Sequence, residues 1–198
     1  MPSSISLGNI VADALGEGRP RVQLQLKRIR AARMISFKGY GRAAAPMASL
    51  DAARLIIAVA GALFASDALE ALTRFKDLPG TSPKASGRSL EAFLAERIEL
   101  ARSGLDPTFD GPLGARLFNP AGEAALKLIW TGAADAASAA VVRWFRNDGK
   151  TDAATFSDVS WSRPILDEGR FAAATGGSSL IRSATVPTAA LYRIAAAL

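Results

Sequence analysis

The chain has 198 residues, 49% of them hydrophobic, enough to bury one sizeable core or two small ones. It holds no cysteine and no histidine, which excludes disulfides, thiol nucleophiles, imidazole bases and almost every zinc site. Its net charge of +6 is concentrated at one end. Residues 1–46 carry Arg19, Arg21, Lys27, Arg28, Arg30, Arg33, Lys38 and Arg42 against only Asp13 and Glu17, so residues 47–198 sum to zero. A localised basic region is the footprint of a phosphate-backbone binder, because each neutralised phosphate releases counterions.

Residues 1–16 show no basic start before an apolar core and no small-residue cleavage pattern, so no secretory signal is expected and the protein is expected in the cytoplasm. Within 3–15, Ile5, Leu7, Ile10, Val11 and Leu15 follow a helical spacing that Gly16-Glu17-Gly18 stops. Arg19-Pro20 opens a second helix reaching about Ala32, with Val22, Leu26 and Ile29 on one face. Continuing further would turn Arg33 onto that apolar face, so Met34-Ile35-Ser36-Phe37 is expected to leave as a strand. Lys38-Gly39-Tyr40-Gly41-Arg42 then reads as a glycine turn with basic arms.

Ser49 as N-cap, with Asp51 in the first turn, predicts a long apolar helix through Leu63. Its uncharged stretch, 55–66, falls short of the roughly 20 residues that span a membrane and reads as a buried helix. Ser66-Asp67 caps another helix over 68–76. Residues 80–88, rich in Gly, Ser, Thr, Pro and Lys, are the expected interdomain linker, dividing the chain into 1–79 and 89–198.

Ser89 and Glu91 start a helix whose Leu90, Phe93, Leu94, Ile98 and Ala101 share a face that Arg97 interrupts. Strand, turn, strand is expected over 116–118, 119–122 and 123–130, with further strands at 139–145, 155–161 and 179–186. Asn147-Asp148-Gly149 is a hairpin signal, and Pro187-Thr188 begins a terminal helix. The second part is therefore a small α+β unit with an antiparallel sheet.

The order helix, tight turn, basic helix, strand, basic glycine turn and long helix resembles winged helix-turn-helix DNA-binding regulators over residues 5–78. The match is carried by Val22-Gln23-Leu24-Gln25-Leu26-Lys27-Arg28-Ile29-Arg30-Ala31-Ala32-Arg33-Met34-Ile35-Ser36. It is similar, too, to uncharacterised regulators of prophages and mobile elements. The resemblance implies a recognition helix over about 20–32 in the major groove, a wing over about 35–45 on phosphate or minor groove, and a homodimer reading two half-sites.

Geometry adds its own argument. With Val22, Leu26 and Ile29 inward, a step of about 100° per residue puts Leu24, Lys27, Arg28 and Ala31 outward, flanked by Arg21, Gln23 and Arg30. Lys and Arg pair with guanine, Gln with adenine, and small apolar groups touch a thymine methyl. Arg19, Arg21, Gln23, Leu24, Lys27, Arg28, Arg30 and Ala31 are accordingly the expected helix contacts, and Lys38, Tyr40 and Arg42 the wing contacts. An ordinary solvated helix face would look the same in isolation. The adjoining basic turn and the neutral remainder of the chain favour DNA.

Other motifs fail in context. Gly39-Tyr40-Gly41-Arg42-Ala43-Ala44 fits a dinucleotide fingerprint, but Pro46 precedes any helix able to receive a pyrophosphate. Gly149-Lys150-Thr151 resembles the end of a P-loop, yet Trp144 stands where its first glycine is required. Asp106 and Asp110 lack the remaining ligands of a cation site, and Ser178 and Ser179 lie in no nucleophile elbow. Trp130, Trp144 and Trp161 read as core or sheet-face packing, with an aromatic binding pocket as the alternative.

The expected protein is thus an α+β, non-enzymatic, sequence-specific binder of double-stranded DNA that regulates transcription. It needs no metal or cofactor and does not enter the membrane, and its C-terminal unit serves assembly or a protein or small-molecule effector. The alternative is a structural or interaction protein of a phage or mobile element whose basic end meets an acidic partner or RNA. An enzyme using carboxylates, lysine or tyrosine ranks last, because no paired acids are visible.

Overall fold

A computed structural model describes residues 2–36, 47–103, 124–132, 137–145, 151–159, 161–177 and 180–198. Its first helix, α1 (Ser4–Leu15), starts where the Ser3 hydroxyl accepts from the Ser6 amide. It stops at Gly16, whose φ of 69° is a left-handed helix end. α2 (Arg19–Ala31) has its proline in the first turn and buries Val22, Leu26 and Ile29, as their spacing predicts, together with Gln25.

α1 and α2 touch along their whole length. Arg19 pairs with Asp13 beside the turn, and a Cβ at Gly8 would lie 2.5 Å from Gln23 Nε2 and 3.2 Å from the Leu26 side chain. At the far end Arg30 reaches the Ser4 hydroxyl. Contacts that persist from the turn to the distal ends follow the course of an antiparallel αα-hairpin. A helix-turn-helix instead crosses its helices at about 90–120°, so these contacts do not confirm the winged helix-turn-helix arrangement.

The strand expected from Met34 is absent over 34–36. Here three of the backbone polar groups are taken by other partners: Met34 N donates to Ile29 O, the Arg54 guanidinium donates to Met34 O, and Ser36 N donates to Asp51 Oδ1. No ladder is needed to satisfy them. Phe37 and the basic turn at 38–42 lie outside the described residues.

α3 (Ser49–Gly61) buries Leu55, Ile56, Ile57 and Val59 around its circumference and is the central helix. Its N-cap is Ala48 rather than Ser49, because Asp51 reaches back to the Ala48 amide while the Ser49 hydroxyl donates to Glu99 at 2.6 Å. It ends two residues before the expected Leu63. A 3-10 turn (Ala65–Asp67) leads into α4 (Ala68–Lys76), which has the expected limits.

Residues 80–88 are mostly exposed but are tied to the sheet through a few groups, with Ser82 and Ala85 buried. Gly80 N donates to Arg88 O, closing the segment at its base. Thr81 N donates to Thr155 O, the Ser82 hydroxyl accepts from Thr155 N, and Ala85 is fully buried. The turn-forming residues of this stretch shape a loop that covers a sheet edge. α5 (Leu90–Ser103) follows at once, with Leu90, Phe93, Leu94 and Ile98 inward.

The sheet comprises β1 (Ala124–Thr131), β2 (Ser138–Phe145), β3 (Thr151–Ser157) and β4 (Ile181–Pro187), antiparallel throughout in the order β3-β2-β1-β4. β3 starts four residues earlier than expected, leaving Trp161 outside it. Positions 116–123 and 147–149 lie outside the described residues. Alternation sends Leu126, Leu128, Ala140, Val142, Phe156 and Val186 into the main core. On the other face Ile129 and Ala139 meet Ile165 and Phe171, the latter from α6 (Glu168–Ala174), a helix that the sequence reading missed.

α7 (Thr188–Ala197) turns back from Pro187 onto α1 and α5. One hydrophobic cluster therefore joins Leu7, Leu55, Phe93, Leu128 and Ile194, residues from both sides of 80–88. The described fold is α+β, with its sheet antiparallel as expected. Among the described residues no helix is long and apolar enough to cross a membrane.

Candidate nucleic-acid interface

The structure divides the expected contact residues of α2 into two groups. Leu24, Lys27, Arg28 and Ala31 are exposed on the outward face. The flanking residues are held by the protein itself. Arg19 makes two hydrogen bonds to Asp13, at 2.8 and 2.6 Å, and this guanidinium holds the Asp13 carboxyl below its ordinary range. Arg21 meets Glu17 at 2.9 Å and donates to the carbonyls of Ala62 and Leu63, tying α2 to the end of α3.

Gln23 is likewise occupied. Its amide nitrogen donates to Ile5 O and Asn9 Oδ1, both at 2.9 Å, so reading adenine would require it to leave α1. Arg30 is half-buried and bonded to Ser4. Lys38, Tyr40 and Arg42 lie outside the described residues.

Arg33 joins the outward group although it was not among the expected contacts. It is exposed just beyond the end of α2, at a φ of 59°. Among the described residues Lys27, Arg28 and Arg33 make no ion pair, so three cations stand uncompensated within seven residues. The signal was present in the charge tally of 1–46, but Arg33 had been given only a role in ending the helix.

Two effects account for this surface without a ligand. Cations in the last turn of a helix are favoured by its negative end, which suffices for Arg28. Long basic side chains also solvate well. Neither explains why the cations of α2 are unpaired outward and paired on both flanks.

The three tryptophans have separate fates. Trp130 is buried edge-on to Phe75, with ring centroids 5.6 Å apart. Trp144 lies against Phe93 and under the Arg97 guanidinium, 4.8 Å from its ring centre. Arg97 thus interrupts the apolar face of α5 because it covers an aromatic ring. Trp161 is 43% exposed in the loop after β3.

No protein-family model, curated protein or solved structure matches the chain.

Proposed function

We propose that the protein binds double-stranded DNA through the outward face of α2, with Lys27, Arg28 and Arg33 on phosphates and Leu24 and Ala31 against the groove. The observation that supports this is the contrast in pairing: the cations of that face have no ion-pair partner among the described residues, while Arg19 and Arg21 beside them do. Unpaired, exposed cations on one helix face suit a polyanion, and each phosphate contact contributes to a salt-dependent affinity.

The transcriptional regulator, working in the cytoplasm as a homodimer, is the narrower form of this reading. It requires base contacts as well as phosphate contacts. Because Gln23 is bonded to α1, such readout would fall to Lys27 and Arg28. The test is capture of genomic fragments near physiological salt, followed by sequencing. Enrichment of a short site, with half-sites about one helical turn apart, supports a dimeric regulator. Uniform capture supports backbone binding alone, and no capture removes the proposal.

A second reading rests on Leu24, which is 46% exposed in the middle of the basic face. An apolar residue ringed by cations also suits an acidic protein segment. That reading takes precedence if duplex DNA and RNA both fail to bind.

A further inference from the structure

The loop between β3 and α6 is secured on either side of Trp161 and Arg163, while those two side chains stand outward. On the near side the Ser157 hydroxyl accepts from Val159 N and donates to Ser138 O. On the far side Ile165 is buried against Phe171, the Arg170 guanidinium donates to Pro164 O, and the Arg143 guanidinium donates to Leu166 O at 2.9 Å. Trp161, Ser162, Arg163 and Pro164 line a cavity of about 330 Å³ with Thr81, Ser157 and Val159 on its other walls. That volume lies at the lower end of the range for small-molecule sites, about 300–1,000 Å³.

Its chemistry is of one sign. Arg163 makes no ion pair among the described residues, and no carboxylate lines the cavity. The slightly larger cleft beside Trp130 differs, because Asp67 and Glu70 stand there with Arg74 and Arg182 and leave no net charge. In the loop cavity the Trp161 indole, the Arg163 guanidinium and the Ser162 hydroxyl are the available groups, the Thr81 hydroxyl being bonded to Thr155. An indole offers a flat ring surface for stacking, and a guanidinium matches a carboxylate or phosphate with two parallel hydrogen bonds.

We propose that this cavity binds a small aromatic anion, its ring on Trp161 and its carboxylate or phosphate on Arg163. This proposal does not rest on the DNA-binding reading. Because the loop is already anchored at Ser157 and Ile165, little ordering is needed on binding.

Tryptophan fluorescence tests it directly, using the full chain and three probes: adenosine monophosphate, benzoate and salicylate. Adenosine and inorganic phosphate supply the ring and the charge separately. The expected result is saturable quenching by at least one probe, absent in Trp161→Phe and weakened about tenfold in Arg163→Gln, with Arg163→Lys intermediate. Both positions are exposed, and circular dichroism checks that each variant folds. Quenching by none of the three probes overturns the proposal, as does quenching indifferent to Arg163→Gln. Phosphate alone matching the best probe overturns the aromatic half of it.

Discussion

Helices α2 and α5 are both charged and amphipathic, yet they use their charges in opposite ways. On α5, Glu91 accepts from Arg54 at 2.8 and 3.1 Å, Glu96 pairs with Arg88 at 2.6 Å, Glu99 takes Arg102 and Ser49, and Arg97 covers Trp144. On α2, Lys27 and Arg28 have no such partner among the described residues, nor does Arg33 after it. Net charge could not have separated these cases. What separates them is whether the neighbouring element presents a carboxylate at the right height.

Breaking the α5 side should have the largest effect. The Arg54–Glu91 pair is largely shielded, with side chains 23% and 13% exposed, and Arg54 also supports Met34 O. Arg54→Ala leaves a mostly buried carboxylate and a carbonyl without their donor, so a loss of about 2–4 kcal/mol is expected in urea unfolding. A loss below about 0.5 kcal/mol would place this pair with ordinary surface pairs.

The α2 side should respond in the reverse sense. Replacing both Lys27 and Arg28 with alanine should leave stability within about 0.5 kcal/mol, as for surface sites without partners. DNA affinity should fall about 10- to 30-fold, and the slope of log K against log salt should decrease by about 2. An unfolding midpoint that moves while affinity holds would mean that these cations serve the fold. Unchanged affinity would remove α2 from the interface.

Periodicity made the helices legible, and hydrogen bonding over distance concealed the rest. Val22, Leu26 and Ile29 announced the inner face of α2, and the span of α4 was legible too, although Asp67 at its N-cap accepts from Phe64 N and makes no capping bond to the helix. The seven residues of α6 contain one fully buried side chain, Phe171, too few for a period. The turn-rich stretch 80–88 looked like a linker because Ser82 and Thr81 are hydroxyl residues in either setting. Their partner, Thr155, lies over 70 positions away. At the candidate interface, outward Lys27 and Arg28 followed from helical geometry, whereas the commitment of Gln23 to α1 depended on Asn9 and the Ile5 carbonyl.

Gln25 sharpens the contrast from inside α2. It is fully buried, and among the described residues neither amide atom has a hydrogen-bond partner. An unmet buried amide costs about 1–3 kcal/mol, while methionine is nearly its equal in length. Gln25→Met should therefore raise stability by about 1 kcal/mol, read as a higher urea midpoint with an unchanged slope. A lowered midpoint would show that the amide makes contacts that methionine cannot replace.

The smallest effect concerns a pair outside both helices. Burial alone would raise the Glu168 carboxyl, but hydrogen bonds from Lys127 at 2.6 Å and from Ser183 outweigh it and bring it down to about 2. A carboxyl lowered from 4.5 on folding adds stability above pH 4.5 and loses it as the pH falls through 2. Glu168 is 39% exposed, so solvent screens much of that contribution. In Lys127→Met, burial acts with less opposition and the folded carboxyl moves up, so this group's share of the acid destabilisation shrinks. Unfolding midpoints at pH 5 and pH 2.5 should therefore differ less in the variant than in the parent. An equal difference would show that Lys127 orders the β1–α6 contact without supplying the charge that holds Glu168 ionised, leaving its exposed oxygen to the solvent.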